Sequence, residues 1–191
     1  MTAIVILAAG SSSRFGSPKQ NVNYKGETLL QLAIKNALAV SETVLVILGA
    51  NREFIEHSIK DQPVDILYNS DWTEGMASSI RLAADKLQSD YLQITSALLM
   101  LCDQPYADKA ILQQLIAAAA ENESGIIASA YNDTLGAPVL FKAKYFPYLL
   151  ALKGQEGAKK LILQHADDVR SVPFPLGGVD IDTIEDYEKL V

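Results

Sequence analysis

A short loop near the start of the chain combines small, hydroxyl and cationic side chains. It reads LAAGSSSRFGSPKQ over residues 7–20, with an arginine and a lysine but no carboxylate. Gly10 lets backbone N–H groups approach an anion closely, and the serines that follow it add hydroxyl donors. Arg14 offers a planar fork of donors and Lys19 a mobile point charge. These residue types together suit the binding of a polyphosphate.

The spacing within this loop excludes two common phosphate-binding motifs. Gly10 and Gly16 lie six residues apart and Pro18 precedes Lys19, so the loop is not a Walker A motif. It also lacks the G-x-G-x-x-G spacing of dinucleotide-binding proteins, which argues against a dinucleotide-dependent oxidoreductase. On composition alone, a surface loop kept soluble by its serines is as good an interpretation as a phosphate site.

A carboxylate at the end of an apolar run is the second candidate group. Residues 97–101 read ALLML and lead into CDQP at residues 102–105. Asp103 at the end of a buried strand would be costly unless something paired with it, and a hard cation such as Mg²⁺ would do so. The alternative is a turn or N-cap role before a helix predicted from residue 107.

Two more carboxylates lie near the C-terminus, in GGVDIDTIEDY at residues 177–187. Asp180 and Asp182 project from the same side of an extended segment. Thr183 and Asp186 have the spacing of a capping box that begins the last helix. Helix capping therefore explains part of this acidic cluster but leaves Asp180 without a local role.

The elements that must position these groups alternate along the chain. Seven apolar runs predict strands at residues 2–9, 43–49, 64–69, 97–103, 125–131, 137–141 and 169–174. Helical periodicity covers residues 28–40, 74–87, 107–120 and 157–166. This alternation predicts an α/β fold with a mostly parallel central sheet, in which residues 137–141 could form an antiparallel addition. Ligands of such sheets bind beyond the carboxyl ends of the strands, where the unusual residues are concentrated.

Length and composition set the broad class of the protein. The 191 residues are enough for one domain, which we expect to span residues 1–191. The net charge of −7 argues against a nucleic-acid partner and against a polybasic membrane surface. A single cysteine, no signal-peptide pattern and no apolar run of about 20 residues favour a cytoplasmic protein without a membrane segment. We expect a monomer.

The loop at residues 7–20 also carries a family resemblance. L-A-A-G-x-S-x-R-F-G-x-P-K-Q resembles the signature of the molybdenum cofactor nucleotidyltransferases, within the wider class of sugar-nucleotide pyrophosphorylases. The resemblance implies a three-layer Rossmann-like nucleotide-diphospho-sugar transferase fold. Within that family, L-A-A-G accompanies cytidine and L-A-G-G accompanies guanosine. The expected reaction is therefore the Mg²⁺-dependent transfer of CMP from CTP to molybdopterin, with release of pyrophosphate.

Residue roles follow from the resemblance by position. The catalytic residues would be Arg14, Lys19 and Asp103, and the metal ligands Asp103 and Asp180, with Asp182 a weaker candidate. Nucleotide binding would use Leu7, Ala8, Ala9, Gly10, Ser11, Ser12, Arg14 and Lys19, and, from the family pattern N-x-x-W-x-x-G-M-x-S-S, Asn69, Gly75, Ser78 and Ser79. Acceptor binding would use Gln104, Pro105, Gly136, Pro138 and Gly157. A transient contact with a molybdoenzyme or its chaperone is a further expectation.

Three positions depart from the family pattern, and they leave alternatives open. Ala137 stands where histidine or arginine is common, and Gln155 and Lys159 replace the aspartate and arginine of G-D-x-G-A-R. These changes fall where the acceptor is expected to bind. Another nucleotidyltransferase, using GTP or a sugar phosphate, is the first alternative. A non-catalytic protein that binds the pterin cofactor for a partner enzyme is the second, although binding alone would not need the complete metal site.

Overall fold

A seven-stranded sheet forms the centre of the molecule. The protein is described here by a computed structural model that covers residues 1–12, 15–16 and 18–190. The strand order is β5-β4-β1-β6-β8-β7-β9, and only β8 runs antiparallel to its neighbours in this sheet. The strands are β1 (Thr2–Ala8), β4 (Val44–Leu48), β5 (Asp65–Tyr68), β6 (Ser96–Leu101), β7 (Ile126–Tyr131), β8 (Thr134–Lys142) and β9 (Val169–Pro173). The predicted α/β fold, its mostly parallel sheet and the antiparallel strand at 137–141 are confirmed.

The helices cover both faces of this sheet and produce three layers. They are α1 (Leu29–Leu38), α2 (Arg52–His57), α3 (Met76–Asp90), α4 (Lys109–Glu121), α5 (Phe146–Leu150), α6 (Ala158–Gln164) and α7 (Ile184–Glu188). A two-stranded hairpin of β2 (Asn23–Tyr24) and β3 (Glu27–Thr28) precedes α1. None of the helices in the described part of the chain is long and apolar enough to cross a membrane.

Burial on both faces explains why the central strands are continuously apolar. Ala3 and Val5 of β1 pack into one core with α3, α5 and α6, whereas Ile4 and Ile6 pack into a second core with α1, α2 and α4. All four side chains are fully buried. Successive strand residues point to opposite faces, so a strand between two helical layers has no polar side.

Capping residues determine where several helices begin. Thr28 and Gln31 form a reciprocal capping box at α1, and Thr183 and Asp186 form one at α7, as the sequence predicts. At α4, the carboxylate of Asp108 accepts from the backbone N–H groups of the first turn. Asp108 therefore serves as the N-cap of α4, and Asp103 is left available for another role.

Candidate active site

A cavity of about 470 Å³ opens at the carboxyl ends of β1 and β6. The end of β1 and the loop after it supply one wall, and the start of α3 supplies the opposite wall. Besides the weaker metal candidate Asp182, ten residues predicted to belong to the site line it: Leu7, Ala8, Ala9, Gly10, Ser11, Ser12, Lys19, Gly75, Ser79 and Asp103. Further lining comes from Gln20, Trp72, Thr73, Met76, Leu101, Cys102, Gln155 and Asp182. The fold thus gathers segments far apart in sequence around one space.

The loop after β1 is shaped by a buried glutamine. The side-chain amide of Gln20, which is 1% exposed, donates to the carbonyl oxygens of Ala8 (2.9 Å) and Gly10 (3.0 Å). Ser12 has a left-handed backbone (φ 55°), and its hydroxyl accepts from the backbone N–H of Lys19 at 3.1 Å. These bonds draw the loop back on itself and bring Lys19 to the cavity. Arg14, predicted to act here, lies outside the described residues.

Lys19 sits between two carboxylates from distant parts of the chain. Its Nζ lies 2.5 Å from Asp103 Oδ2 and 2.8 Å from Asp182 Oδ1. Burial opposes the positive charge, but the attraction and hydrogen bonds of Asp103 and Asp182 outweigh it and raise the pKa of Lys19 well above its usual value. Lys19 therefore remains a cation, although only 16% of its side chain is exposed.

The second oxygen of Asp103 is in a different situation. Oδ1 is buried, and it has no hydrogen-bond partner among the described residues. A buried carboxylate oxygen without a partner costs free energy, and a cation or a donor from a ligand would remove that cost. Asp103 can therefore hold Lys19 with one oxygen and accept a second positive group with the other.

Asp180 lies near this pair but does not line the cavity. Its side chain is exposed at the surface, yet desolvation by the surrounding protein and repulsion from Asp103 and Asp182 raise the pKa of Asp180 to about 6. Three carboxylates thus affect one another here. Across residues 1–12, 15–16 and 18–190, no group of three or more histidine, cysteine or acidic side chains is arranged as a ready-made metal site.

The opposite wall rests on a buried polar triad. The amide of Asn69 donates to the hydroxyls of Ser78 (2.8 Å) and Ser79 (2.9 Å), and the Ser78 hydroxyl donates to the carbonyl of Gly75. Asn69 and Ser78 do not line the cavity; they lie behind it and anchor the start of α3 to the end of β5. Of this triad only Ser79 reaches the cavity.

Trp72 forms part of the same wall. It packs so closely on the chain after β4 that a Cβ at Gly49 would lie 2.6 Å from the Trp72 Cβ and 2.7 Å from the Ala9 carbonyl oxygen. Gly49 therefore permits the indole to lie beside Ala9. An aromatic side chain at a cavity wall can pack against a ring, as bases do on aromatic residues of nucleic-acid-binding proteins.

The five predicted acceptor residues lie outside this cavity. Gln104 is buried and donates to the carbonyls of Gly177 (2.8 Å) and Ala137 (3.3 Å), while its Oε1 has no partner among the described residues. The others are Pro105, which is buried; Gly136, which lies under the Tyr131 hydroxyl; Pro138, whose carbonyl accepts from Ser129; and Gly157, which packs on Met76. Four of the five, all except Gly157, adjoin the ends of β6 and β8 beside Asp103.

Sequence reasoning gave several contributors to the cavity no role there, among them Gln20, Met76 and Gln155. Gln20 follows Lys19 directly, but nothing in a sequence says that its side chain turns back to the carbonyls of β1. Met76 and Gln155 also line the cavity, although periodicity and spacing give no reason to assign them to it. The signal that could have found Gln155 is its departure from the family pattern, although the family resemblance places that position on the acceptor side.

Known proteins resemble this chain over most of its length. Residues 4–169 match the family model described as "MobA-like NTP transferase domain". Nicotine blue oxidoreductase of Paenarthrobacter nicotinovorans is 30% identical (98% of this chain, 95% of the relative), and the purine catabolism protein PucB of Bacillus subtilis (strain 168) is 29% identical (97% and 94%). Molybdenum cofactor cytidylyltransferase of Escherichia coli (strain K12) is 27% identical (73% and 70%).

Solved structures of related proteins have the same fold as this chain. The crystal structure of Rv0371c from Mycobacterium tuberculosis H37Rv matches with a TM-score of 0.84 and 30% identity, over 99% of this chain and 96% of that one. A manganese complex of Rv0371c matches with a TM-score of 0.81 and 27% identity, over 99% and 97%. The chain therefore belongs to the MobA-like NTP transferase domain family, and it is a nucleotidyltransferase related to molybdenum-cofactor-associated enzymes.

Proposed function

We propose that this protein transfers CMP from CTP to molybdopterin, giving the cytosine dinucleotide form of the cofactor and pyrophosphate. The observation that carries this proposal is the position of Lys19, held between Asp103 and Asp182 beside the backbone of Gly10 and Ser12. A buried cation next to the backbone N–H groups of a glycine- and serine-rich loop suits the triphosphate of a nucleotide. The L-A-A-G sequence and the cytidylyltransferase relative support CTP over GTP.

The acidic residues fit a divalent cation. The buried Oδ1 of Asp103 has no partner among the described residues, and oxygen ligands are those that Mg²⁺ prefers. Asp180 is close enough for its charge to act on Asp103, so Asp103 and Asp180 would hold the ion and substrate phosphates would complete its coordination. When bound, Mg²⁺ would neutralise phosphate charge. The manganese complex of the mycobacterial relative supports a divalent cation in this family.

The reaction needs no general base. The phosphate monoester of the acceptor is largely dianionic near neutral pH, because its second pKa is about 6. One of its oxygens forms a bond to the α-phosphorus of CTP, while the bond from that phosphorus to the departing pyrophosphate breaks and its electron pair leaves with the pyrophosphate. Lys19 would neutralise the leaving group, and so would Arg14, which lies outside the described residues.

The acceptor is proposed to approach from the side of β6 and β8. Gln104 and Gly136 lie there next to Asp103, and the buried Oε1 of Gln104 can accept a hydrogen bond from a polar ligand. Ala137 lacks the cationic or hydrogen-bonding group that the family commonly has at this position. The assay of this proposal therefore varies the acceptor as well as the nucleotide.

The relative named as an oxidoreductase does not change this proposal. That activity belongs to the relative, and the chain lacks the G-x-G-x-x-G spacing of dinucleotide-binding proteins. The positive charge of Lys19 and the buried Oδ1 of Asp103, which has no partner among the described residues, are both accounted for by phosphoryl chemistry.

Pyrophosphate release tests the proposal directly. Each of the four ribonucleoside triphosphates is assayed with and without molybdopterin and Mg²⁺, and release is expected with CTP only when both are present. Release with GTP, or with a sugar phosphate in place of molybdopterin, would move the function to another nucleotidyltransferase. No release with any triphosphate would favour a protein that only binds the cofactor.

The variant Asp103→Asn tests the role of the carboxylate within this assay. We expect turnover to fall below detection while the thermal unfolding midpoint shows that the protein is folded. Asp61→Asn is the matched control, because Asp61 is exposed and makes no hydrogen bond or ion pair among the described residues. Full activity of Asp103→Asn would exclude Asp103 from the metal site.

A further inference from the structure

Two groups of side chains within the lining of the 470 Å³ cavity differ in charge. Lys19 contacts both Asp103 and Asp182, and these three are the charged side chains that line the cavity among the described residues. The other group is uncharged and surrounds the start of α3: Trp72, Thr73, Gly75, Met76, Ser79 and Gln155. If the phosphates of a nucleotide lie against the charged group and Gly10, this uncharged group offers a surface for the base.

Gln155 is the member of the uncharged group best suited to read a base. Its amide offers both hydrogen-bond donors and an acceptor, whereas the hydroxyls of Thr73 and Ser79 are shorter and Ser79 already accepts from Asn69. Gln155 is exposed, and its amide makes no hydrogen bond to any of the described residues. Trp72 in the same wall offers an aromatic face on which a ring can stack.

The backbone that carries Gln155 is fixed from several directions. The Glu74 carboxylate accepts the N–H of Gly154 at 3.0 Å and both terminal nitrogens of Arg81 at 2.8 and 2.6 Å. Arg81 also donates to the Leu152 carbonyl at 2.8 Å, and the Gly154 carbonyl accepts from Ala77 at 3.1 Å. We call this set the Glu74–Arg81 clamp. It joins residues 152–154 to the first turns of α3.

The negative charge of Glu74 and the close packing at Gly75 strengthen the contacts of the clamp. Hydrogen bonds from Arg81, followed by that from Gly154, lower the pKa of Glu74 to about 2, so its carboxylate is ionised at neutral pH. Gly75 approaches so closely that an added Cβ would lie 2.5 Å from the Gly154 carbonyl oxygen and 2.8 Å from the side-chain carbon of the Gln155 amide. The amide of Gln155 therefore lies against Gly75 at the cavity wall, on a backbone segment that hydrogen bonds join to α3.

We propose that Gln155 hydrogen-bonds the polar edge of the nucleobase and determines which base the enzyme accepts, with the Glu74–Arg81 clamp as its positioning device. This assignment rests on the proposed function for the identity of the base, which is cytosine. It moves the residue from the acceptor side, where its departure from the family pattern first suggested a role, to the nucleotide. The amino group of cytosine is the natural partner of the amide oxygen.

A thermodynamic cycle between protein and ligand tests the contact. Binding is followed through the fluorescence of Trp72, the only tryptophan in the chain, which lines the cavity. The ligands are CTP, the CTP analogue that lacks the 4-amino group, and 2′-deoxy-CTP; the proteins are wild type, Gln155→Ala and Gln164→Ala. Gln164 is an exposed glutamine at the end of α6 that does not line the cavity, so it provides the matched control.

The wild type and Gln164→Ala are expected to bind CTP about 3- to 10-fold more tightly than the analogue without the amino group. In Gln155→Ala this preference should disappear, while the preference for CTP over its 2′-deoxy form is unchanged. Gln155 is excluded as a base-reading residue if its variant keeps the amino-group preference. It is equally excluded if the variant loses the ribose preference instead.

The same measurements separate this inference from the proposed function. A wild-type protein that binds GTP in preference to CTP contradicts the choice of CTP, and the cycle is then run with GTP and inosine triphosphate, which lacks the 2-amino group. Survival of that preference in Gln155→Ala overturns the inference. Absence of binding to any triphosphate overturns both.

Arg81→Met tests the clamp as a positioning device. We expect the amino-group preference of the wild type to be reduced, while binding of the analogue without the amino group is unaffected. A general loss of folding would weaken the binding of CTP and of the analogue alike, and the thermal unfolding midpoint would reveal it. Glu74→Gln, which keeps the side-chain shape and removes the charge, is the second variant. An unchanged preference in both variants would overturn the positioning role.

Discussion

Lys19 concentrates positive charge at one point of an acidic chain. The net charge is −7, so a triphosphate meets general repulsion and needs a local cation. Asp103 and Asp182 hold that cation in place, at the cost of two carboxylates near the site of an anionic ligand. A divalent cation on Asp103 and Asp180 would offset this negative charge, which is why we treat Lys19 and the metal as parts of one site.

Lys19→Met is predicted to weaken CTP binding more than CMP binding. Hydrogen bonds to a charged group contribute about 1.5–3 kcal/mol, so the loss of CTP affinity should be about 10- to 100-fold. Titration calorimetry with both nucleotides measures the difference. Lys25→Met is the control of equal charge change, because Lys25 is exposed and lies over the ring of Tyr24, away from the cavity. Equal losses for CTP and CMP would place Lys19 away from the β- and γ-phosphates.

At the scale of elements, the start of α3 depends on a close approach between two backbone segments. Gly75 has a positive φ of 129°, and a side chain there would meet the carbonyl of Gly154. The opposite wall of the cavity is thus two segments packed without room for a methyl group. The glycine of the family pattern is explained by this packing, and it lies at the cavity as well.

Gly75→Ala is predicted to displace residues 153–157 and to weaken nucleotide binding. The clash is with backbone, which has no rotamer by which to escape. Gly26→Ala is the control, since Gly26 also has a positive φ (92°) but has no atom within 4 Å of an added Cβ. Both variants should lose stability through backbone strain, and only Gly75→Ala should lose CTP affinity in a fluorescence titration. Equal affinities would show that the close approach has no bearing on the site.

The sequence indicates the long elements better than the short ones. The seven strands of the central sheet and α1, α3, α4 and α6 are predicted to within a few residues, because burial on two faces or on one stripe leaves a strong apolar pattern. The bounds of the helices α2 and α5 are not predicted. These helices have six and five residues, too few for a helical period to be evident, and short helices owe their stability mainly to tertiary packing.

In the site, too, only the residues marked by a local sequence pattern are predicted. The loop after β1 and Asp103 are predicted because their residue types are unusual for their surroundings and lie at strand ends. The contact of Lys19 with Asp182, the turn-back of Gln20 and the position of Gln155 are not predicted. Each depends on the direction of a side chain across a sequence separation that no local pattern records.

At the scale of the whole molecule, Asp168 joins elements at the end of the sheet away from β5. It accepts from the Gly125 N–H (3.0 Å) and the Tyr145 hydroxyl (2.7 Å) and pairs with Lys144 (2.7 Å). These contacts tie the start of β9 to the segments that flank β7 and α5. The hydrogen bond from Lys144, opposed by desolvation and supported by Tyr145 and Gly125, lowers the pKa of Asp168 to about 2.

This shift predicts a pH-dependent contribution to stability. Because the pKa of Asp168 in the folded state lies below the ordinary value of 3.8, its contribution is present above that value and is lost as the pH falls towards 2. Asp168→Asn should therefore lower the free energy of unfolding near pH 7 and lower it less near pH 3, as measured by urea denaturation. Asp167→Asn is the control, because Asp167 is exposed and unpaired among the described residues. A difference between wild type and Asp168→Asn that is constant with pH would contradict this assignment.

The most direct test of the central claim is a crystal structure of the protein with CTP and Mg²⁺. We predict the triphosphate against the backbone of Gly10 and the ammonium of Lys19, the metal ion on Asp103, and the cytosine ring between Trp72 and Gln155. CTP bound elsewhere, with Lys19 still enclosed by Asp103 and Asp182 and no metal on Asp103, would contradict the account.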